Sequence, residues 1–278
     1  MNAPAPAARS ESRHDPRPLG VFDSGIGGLT VVRELLRLLP DEELVYFGDV
    51  ARLPYGNKSP ETVTRFSREI AAFLLKRGVK AIVVACNTAS ALALPALERE
   101  LPVPVIGVID SGARAAVTRT KSGRIGVIAT ASTVRSGAYA AAVRVLRPDV
   151  EVVERACPLF VPLVEEGWID HPVTRQVAHE YLAPLEDHRL DTLILGCTHY
   201  PLLEGVLHAE MGEGVTLIDS GRETAATVRT LLAERGMAAP LGRTPHHALY
   251  LSDLPAAFTA TAERFLGRAL PPVEVVSV

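Results

Sequence analysis

Two stretches of the chain share one rhythm. Ala81-Ile82-Val83-Val84-Ala85 and Thr192-Leu193-Ile194-Leu195 are short, unbroken apolar runs, which predicts strands buried on both faces. Each run gives way to a cysteine and then to polar side chains, in Cys86-Asn87-Thr88-Ala89-Ser90 and, after Gly196, in Cys197-Thr198-His199-Tyr200-Pro201. Each thiol therefore stands where a strand ends, which is where α/β proteins keep their chemistry.

The rest of the pattern repeats the theme. Leu19-Gly20-Val21-Phe22 predicts a short strand, and Asp23-Ser24-Gly25-Ile26-Gly27-Gly28-Leu29-Thr30 a loop leading into an amphipathic helix from Val31 to Leu39. The glycines let backbone approach a bound group, and the helix start suits an anion such as a carboxylate. The spacing is not the dinucleotide fingerprint, because no glycine stands three positions after Gly27. A plain tight turn with a capping Asp or Ser fits the loop equally well. Leu44-Val45-Tyr46-Phe47 predicts a strand followed by a long loop, Gly48 to Gly56, in which Tyr55 and Gly56 offer a ring and a backbone amide to a ligand. Ser59-Pro60 predicts a helix cap with proline at the first position, the helix running to about Arg77 and stopping at Gly78.

Further strands are predicted over 103–110, 124–128, 150–154 and 215–219, with helices over 139–146, 173–185 and 223–235 and a connection over 156–165. The units led by 19–23 and 81–86 match those led by 124–130 and 192–197, which predicts two related half-molecules with one cysteine each. The expected fold is α/β: two related doubly wound domains with the active site in the cleft between them. The expected division is a disordered tail over 1–17, a first domain over 18–110 plus 220–278, and a second over 111–219.

Composition narrows the function. At 278 residues, two domains are the natural size prior. A net charge of −3 and an aromatic content of 5% offer neither the basic field nor the stacking platforms of a nucleic-acid binder. No apolar run approaches membrane-spanning length, and Met1 to Pro18 lacks the apolar core of a secretory signal. Three cysteines make no disulfide framework, so a cytoplasmic, reducing setting with free thiols is expected. Lys58, Lys76, Lys80 and Lys121 are the only lysines, and none reads as a buried Schiff-base amine, which argues mildly against pyridoxal phosphate. A small-molecule partner is expected.

Either thiol, at a helix start, could be a nucleophile. A thiol from each half-molecule suggests more: one thiolate takes a proton from one face of a carbon acid while the opposite thiol delivers one to the other. Asp23 and His199 are then the partners that adjust the thiols. Taken singly, a cysteine after an apolar strand is more often core than catalytic. Cys197 and His199 alone supply only two ligands, short of a metal site. Cys157 is assigned to packing, and His14, His171, His179, His188, His208, His246 and His247 to the surface. A cysteine-nucleophile hydrolase and a non-catalytic binding module use the same features.

Gly20 to Leu29, Tyr46-Phe47-Gly48-Asp49 with Pro54-Tyr55-Gly56, Val84-Ala85-Cys86-Asn87-Thr88-Ala89 and Leu195-Gly196-Cys197-Thr198-His199-Tyr200-Pro201-Leu202 together resemble the glutamate racemase family, in order from about Pro18 to Ser220. The resemblance implies a cofactor-independent racemase interconverting L- and D-glutamate for peptidoglycan. It implies Cys86 acting on D-glutamate with the help of Asp23, and Cys197 acting on L-glutamate with the help of His199. It further implies that Asp23, Ser24, Tyr55, Gly56, Asn87, Thr88, Thr130, Thr133, Thr198 and His199 hold the substrate, that Glu165 lies near the site, that no metal is needed, and that the enzyme is a homodimer. Ala131 and Ser132 depart from the family pattern beside Thr133, as does the length of the Ala/Pro-rich tail.

Overall fold

The computed structural model describes residues 14–256 and 258–278. The first half of the chain gives β1 (Leu19–Asp23), α1 (Leu29–Leu38), β2 (Leu44–Gly48), α2 (Pro60–Leu75), β3 (Ala81–Val84), α3 (Asn87–Glu100), β4 (Val105–Gly107) and α4 (Val108–Arg119). Next come β5 (Arg124–Ala129), α5 (Ala131–Ser136), α6 (Ala138–Leu146), β6 (Glu151–Ala156), α7 (Phe160–Glu165), α8 (Pro172–Glu186), β7 (Thr192–Gly196), α9 (Glu204–Met211) and β8 (Thr216–Asp219). The chain closes with α10 (Ser220–Glu234), β9 (Ala248–Leu251), α11 (Phe258–Leu266) and β10 (Val273–Val275).

Two parallel sheets result, one in the order β10-β9-β2-β1-β3-β4 and one in the order β6-β5-β7-β8. The run β2-β1-β3-β4 and the run β6-β5-β7-β8 have the same topology, so the two-fold pattern in the sequence is a repeated doubly wound unit. In both, the chain reverses its direction of travel across the sheet at the central strand, β1 or β5, and ligand crevices open at such points. The central strands β1, β3 and β7 are buried along their whole length, as parallel strands covered by helices must be. Helix α10 packs on α4 and α1, and α11 on α1.

Local chemistry starts the helices where the site needs them. Ser59 accepts a hydrogen bond from Thr62 N, with Pro60 next, and opens α2 as anticipated. Cys86 Sγ accepts from Ala89 N at 3.4 Å, so the thiol is itself the cap of α3. Thr130 Oγ1 caps α5 by accepting from Thr133 N at 3.3 Å.

Several expectations need correction. The strand expected over 103–110 ends at Gly107, because Val108 and Ile109 are the buried first turn of α4. The connection over 156–165 contains α7, with Pro162 in its first turn, where a missing N–H costs nothing. Lys80 is fully buried, contrary to the sequence reading. Its ammonium donates to Asp15 O at 2.8 Å and Met237 O at 2.7 Å, and Glu42 Oε2 lies 2.6 Å away. It stands just before β3, at the end of the strand opposite Cys86. His247 is half-buried, and its Nδ1 accepts from Leu44 N at 3.4 Å. Of the tail expected over 1–17, residues 1–13 lie outside the described residues. Asp15 N, for its part, donates to Ala238 O at 3.1 Å, and Pro16 O accepts from Arg243. No helix among the described residues is long and apolar enough to cross a membrane.

Candidate active site

A cleft of about 400 Å³ is walled by the segments that follow β1, β3, β5 and β7. Ser24, Tyr55, Gly56, Cys86, Asn87, Thr88, Thr130, Glu165, Cys197, Thr198 and His199 all line it. Asp23 and Thr133 stand behind this wall, buried and in contact with it through their neighbours. Both thiols thus open onto one space, while Cys157, fully buried, has its Sγ 3.7 Å from Arg155 O. No disulfide joins the three cysteines.

The first thiol is held in a buried, negatively biased corner. Cys86 Sγ donates to Ser24 Oγ at 3.5 Å. Burial pushes its pKa up to about 12, and the Asp23 carboxylate adds to the rise, so Cys86 rests as a thiol. Asp23, last residue of β1, accepts from Gly25 N at 2.9 Å through Oδ2, while Oδ1 is buried with no partner. Burial raises its pKa, against the lowering effect of His199 and the loop amides. A carboxyl so placed can exchange a proton with the adjacent thiol.

The second thiol sits beside an imidazole. His199 Nδ1 is 3.9 Å from Cys197 Sγ and 3.4 Å from Thr198 Oγ1, and its Nε2 is 3.0 Å from Glu165 Oε1. Burial disfavours the imidazolium, but the hydrogen bonds to Cys197 and Glu165 prevail and push its pKa up to about 10. At neutral pH His199 is thereby held in its protonated form between Cys197 and Glu165. The two halves meet at the glycine loop: a Cβ on Gly27 would fall 2.2 Å from Thr198 Oγ1 and 2.6 Å from His199 Nδ1. Thr30 Oγ1 lies 2.9 Å from Gly27 O and 3.0 Å from Thr198 O, tying the loop to the Cys197 segment.

Between the thiols lie neutral hydrogen-bonding groups. The hydroxyls of Thr88, Thr130 and Thr133 form a triangle with sides of 3.0, 3.3 and 3.0 Å, built from α3 on one side and the α5 cap on the other. Asn87 Nδ2 is buried without a partner. Tyr55 is fixed by its hydroxyl donating to Asp49 Oδ2, which Arg52 also binds. Gly56 O accepts from Ser132 Oγ at 2.5 Å, so the Tyr55–Asn57 turn rests on α5. Among the described residues no lysine or arginine lines the cleft, and no cluster of three or more His, Cys, Asp or Glu could hold a metal.

Sequence reasoning missed the apolar part of the wall, Leu53, Pro54, Pro158, Val161 and Pro162. The last three come from α7 and its approach, and only a helix assignment there could have found them. The arrangement offers two proton carriers, one per half-molecule, around one cleft that also presents neutral hydroxyl and amide donors. Such a site can move a proton off and onto carbon beside a carboxylate, because fixed donors stabilise the charge that grows there.

Comparison with known proteins agrees with this geometry. Residues 19–228 match the family described as Asp/Glu/Hydantoin racemase. A glutamate racemase of Geobacter metallireducens is 53% identical over 262 residues, which is 94% of this chain and 97% of that protein. Among solved structures, a glutamate racemase isoform of Bacillus anthracis superposes with a TM-score of 0.92 at 44% identity, over 95% of this chain and 99% of that one. The glutamate racemase of Francisella tularensis, solved in complex with D-glutamate, gives 0.89 at 40% identity, over 95% and 98%. The chain belongs to the Asp/Glu/Hydantoin racemase family, among its glutamate racemases, and is an amino-acid racemase.

Proposed function

We propose that the protein interconverts L- and D-glutamate without a cofactor by a two-thiol proton transfer at the α-carbon. The observation that carries this reading is the placement of Cys86 and Cys197 on one cleft, each after an equivalent strand of a repeated unit. In one direction Cys86, as thiolate, removes the α-proton of D-glutamate, and the Cys197 thiol protonates the opposite face. In the other direction the roles exchange. Asp23 takes up the Cys86 proton and returns it, and His199, held by Glu165, keeps the Cys197 proton while that residue acts as thiolate and returns it to restore the thiol. Ser24, Asn87, Thr88, Thr130 and Thr198, with the backbone of Tyr55 and Gly56, hold the substrate's carboxylates and amine, and Thr133 supports Thr88 and Thr130 from behind.

Glutamate as substrate is supported by the D-glutamate bound to the Francisella relative. Independence from pyridoxal phosphate is supported by the cleft wall, which holds thiols and no lysine. Neutral donors suit this chemistry, because a guanidinium or ammonium at the wall would compete for the thiolates. The biological role that follows is supply of D-glutamate for peptidoglycan, in the cytoplasm, by a homodimer. The proposed division is 18–110 plus 220–278 against 111–219, with the cleft between.

The test is incubation of the purified protein with each enantiomer in deuterated water, with no added cofactor, following optical rotation and α-deuterium together. Loss of rotation with one deuteron incorporated per inversion is expected for glutamate. Exchange of aspartate in place of glutamate, or exchange only after pyridoxal phosphate is added, contradicts the proposal.

A further inference from the structure

We propose that Tyr139 is a positioning residue of this site, acting on the substrate through Asn87. The inference rests on the racemase reading above. Tyr139 is the second residue of α6, fully buried, and absent from the cleft wall. Its ring lies in a slot made by two glycines: a Cβ on Gly196 would stand 3.0 Å from its Cε2, and one on Gly112 would stand 3.4 Å from its Cε1. Its hydroxyl then crosses to the other half-molecule and donates to Asn87 Oδ1 at 2.7 Å.

One side chain therefore links the residue before one thiol, Gly196, to the residue after the other, Asn87. The hydrogen bond also sets the sense of the Asn87 amide. With Oδ1 committed to Tyr139, the buried and unpartnered Nδ2 is the group left for a ligand in the cleft. That is a donor, which an anionic substrate needs in a cleft whose described wall holds no lysine or arginine. Among the described residues no other hydrogen bond holds the amide in this sense, and without the hydroxyl a rotated amide would present its oxygen to the substrate's carboxylate. The ring of phenylalanine still fills the glycine slot, so Tyr139→Phe isolates the hydroxyl.

The experiment compares the parent protein with Tyr139→Phe, Asn87→Ala and the double variant, measuring kcat and KM for both enantiomers of glutamate. For Tyr139→Phe, KM is expected to rise about tenfold for each enantiomer, the scale of one buried amide left mispaired, with kcat within about threefold. In the Asn87→Ala background the same change is expected to add nothing. An equal loss in both backgrounds, or no loss in either, overturns the proposal. A substrate-free readout runs beside it: the side-chain amide signal of Asn87 in a proton–nitrogen correlation spectrum, assigned by its loss in Asn87→Ala. It is expected to move in Tyr139→Phe, and a signal that stays in place overturns the proposal. If the parent protein leaves glutamate unchanged, the racemase reading fails, and the amide signal still decides whether Tyr139 orients Asn87.

Discussion

Gly27→Ala probes the contact between the glycine loop and the second thiol's segment. The new methyl would stand 2.2 Å from Thr198 Oγ1 and 2.6 Å from the His199 ring. Ordinary contact begins at 3.4 Å, so Thr198 or the loop must retreat by about an ångström. Thr198 Oγ1 cannot retreat alone, because it abuts His199 Nδ1 at 3.4 Å, and the ring's other nitrogen is bound to Glu165 at 3.0 Å. Displacing the His199 cation by that much is expected to lower kcat/KM about 100-fold, the usual effect of a misplacement of one ångström. The loss must be equal from L- and D-glutamate, since enantiomers have equal free energy and the ratio of the two kcat/KM values is therefore unity. The assay is initial-rate circular dichroism from each side, with urea unfolding to show that the overpacking costs about 1–3 kcal/mol and leaves the fold intact. Gly205→Ala is the control, since beyond its own helix backbone and chain neighbours no described atom lies within 4 Å of its Cβ, and it should change neither quantity for the worse. A Gly27→Ala protein with kcat/KM within threefold of the parent would refute this account of how the halves meet.

Other expectations follow from the buried charges. Glu165→Gln removes one of the two hydrogen bonds that hold the His199 pKa near 10, so the alkaline limb of kcat/KM should move to lower pH. Because the folded pKa lies above the ordinary 6.5, this proton's contribution to stability is complete below 6.5 and is lost as pH rises through 10. Urea midpoints between pH 7 and 10.5 should therefore fall less steeply in the variant, and parallel curves would contradict the assignment. Lys80→Met leaves Glu42 buried without its cation and should cost about 3–5 kcal/mol in urea unfolding. Adding Glu42→Leu should recover much of that, with racemisation unaffected in the double variant because Lys80 stands at the far end of β3.

The strands that carry the chemistry were legible because a covered parallel strand is apolar throughout and its end is marked by the first polar residues. β3 and β7 with their cysteines, and β1 with Asp23, were read correctly on that ground. The same signal misled at Val108 and Ile109, where an apolar pair continues from β4 but forms the buried face of α4. Helix α7 lies within the stretch expected only as a connection, where Pro162 falls in the first turn and breaks no bond. Lys80 looked like a turn residue because the oxygens that receive it come from Asp15, Glu42 and Met237, distant in sequence. Cys86, Cys197, Asp23 and His199 were singled out by their position at or near strand ends, whereas Thr130, Thr133 and Glu165 entered only through the family resemblance. Tyr139 was singled out by neither, since its meaning depends on Asn87, 52 positions away on the other half-molecule.

The division of labour between the thiols is tested most directly by α-hydrogen exchange in the two single-thiol variants, in deuterated water, with inversion followed in the same samples. Cys197→Ala should exchange the α-hydrogen of D-glutamate with retention and leave L-glutamate untouched. Cys86→Ala should show the reverse, and neither variant should invert either enantiomer. Inversion surviving the loss of either thiol, or exchange of both enantiomers by a single remaining thiol, would contradict the two-thiol account.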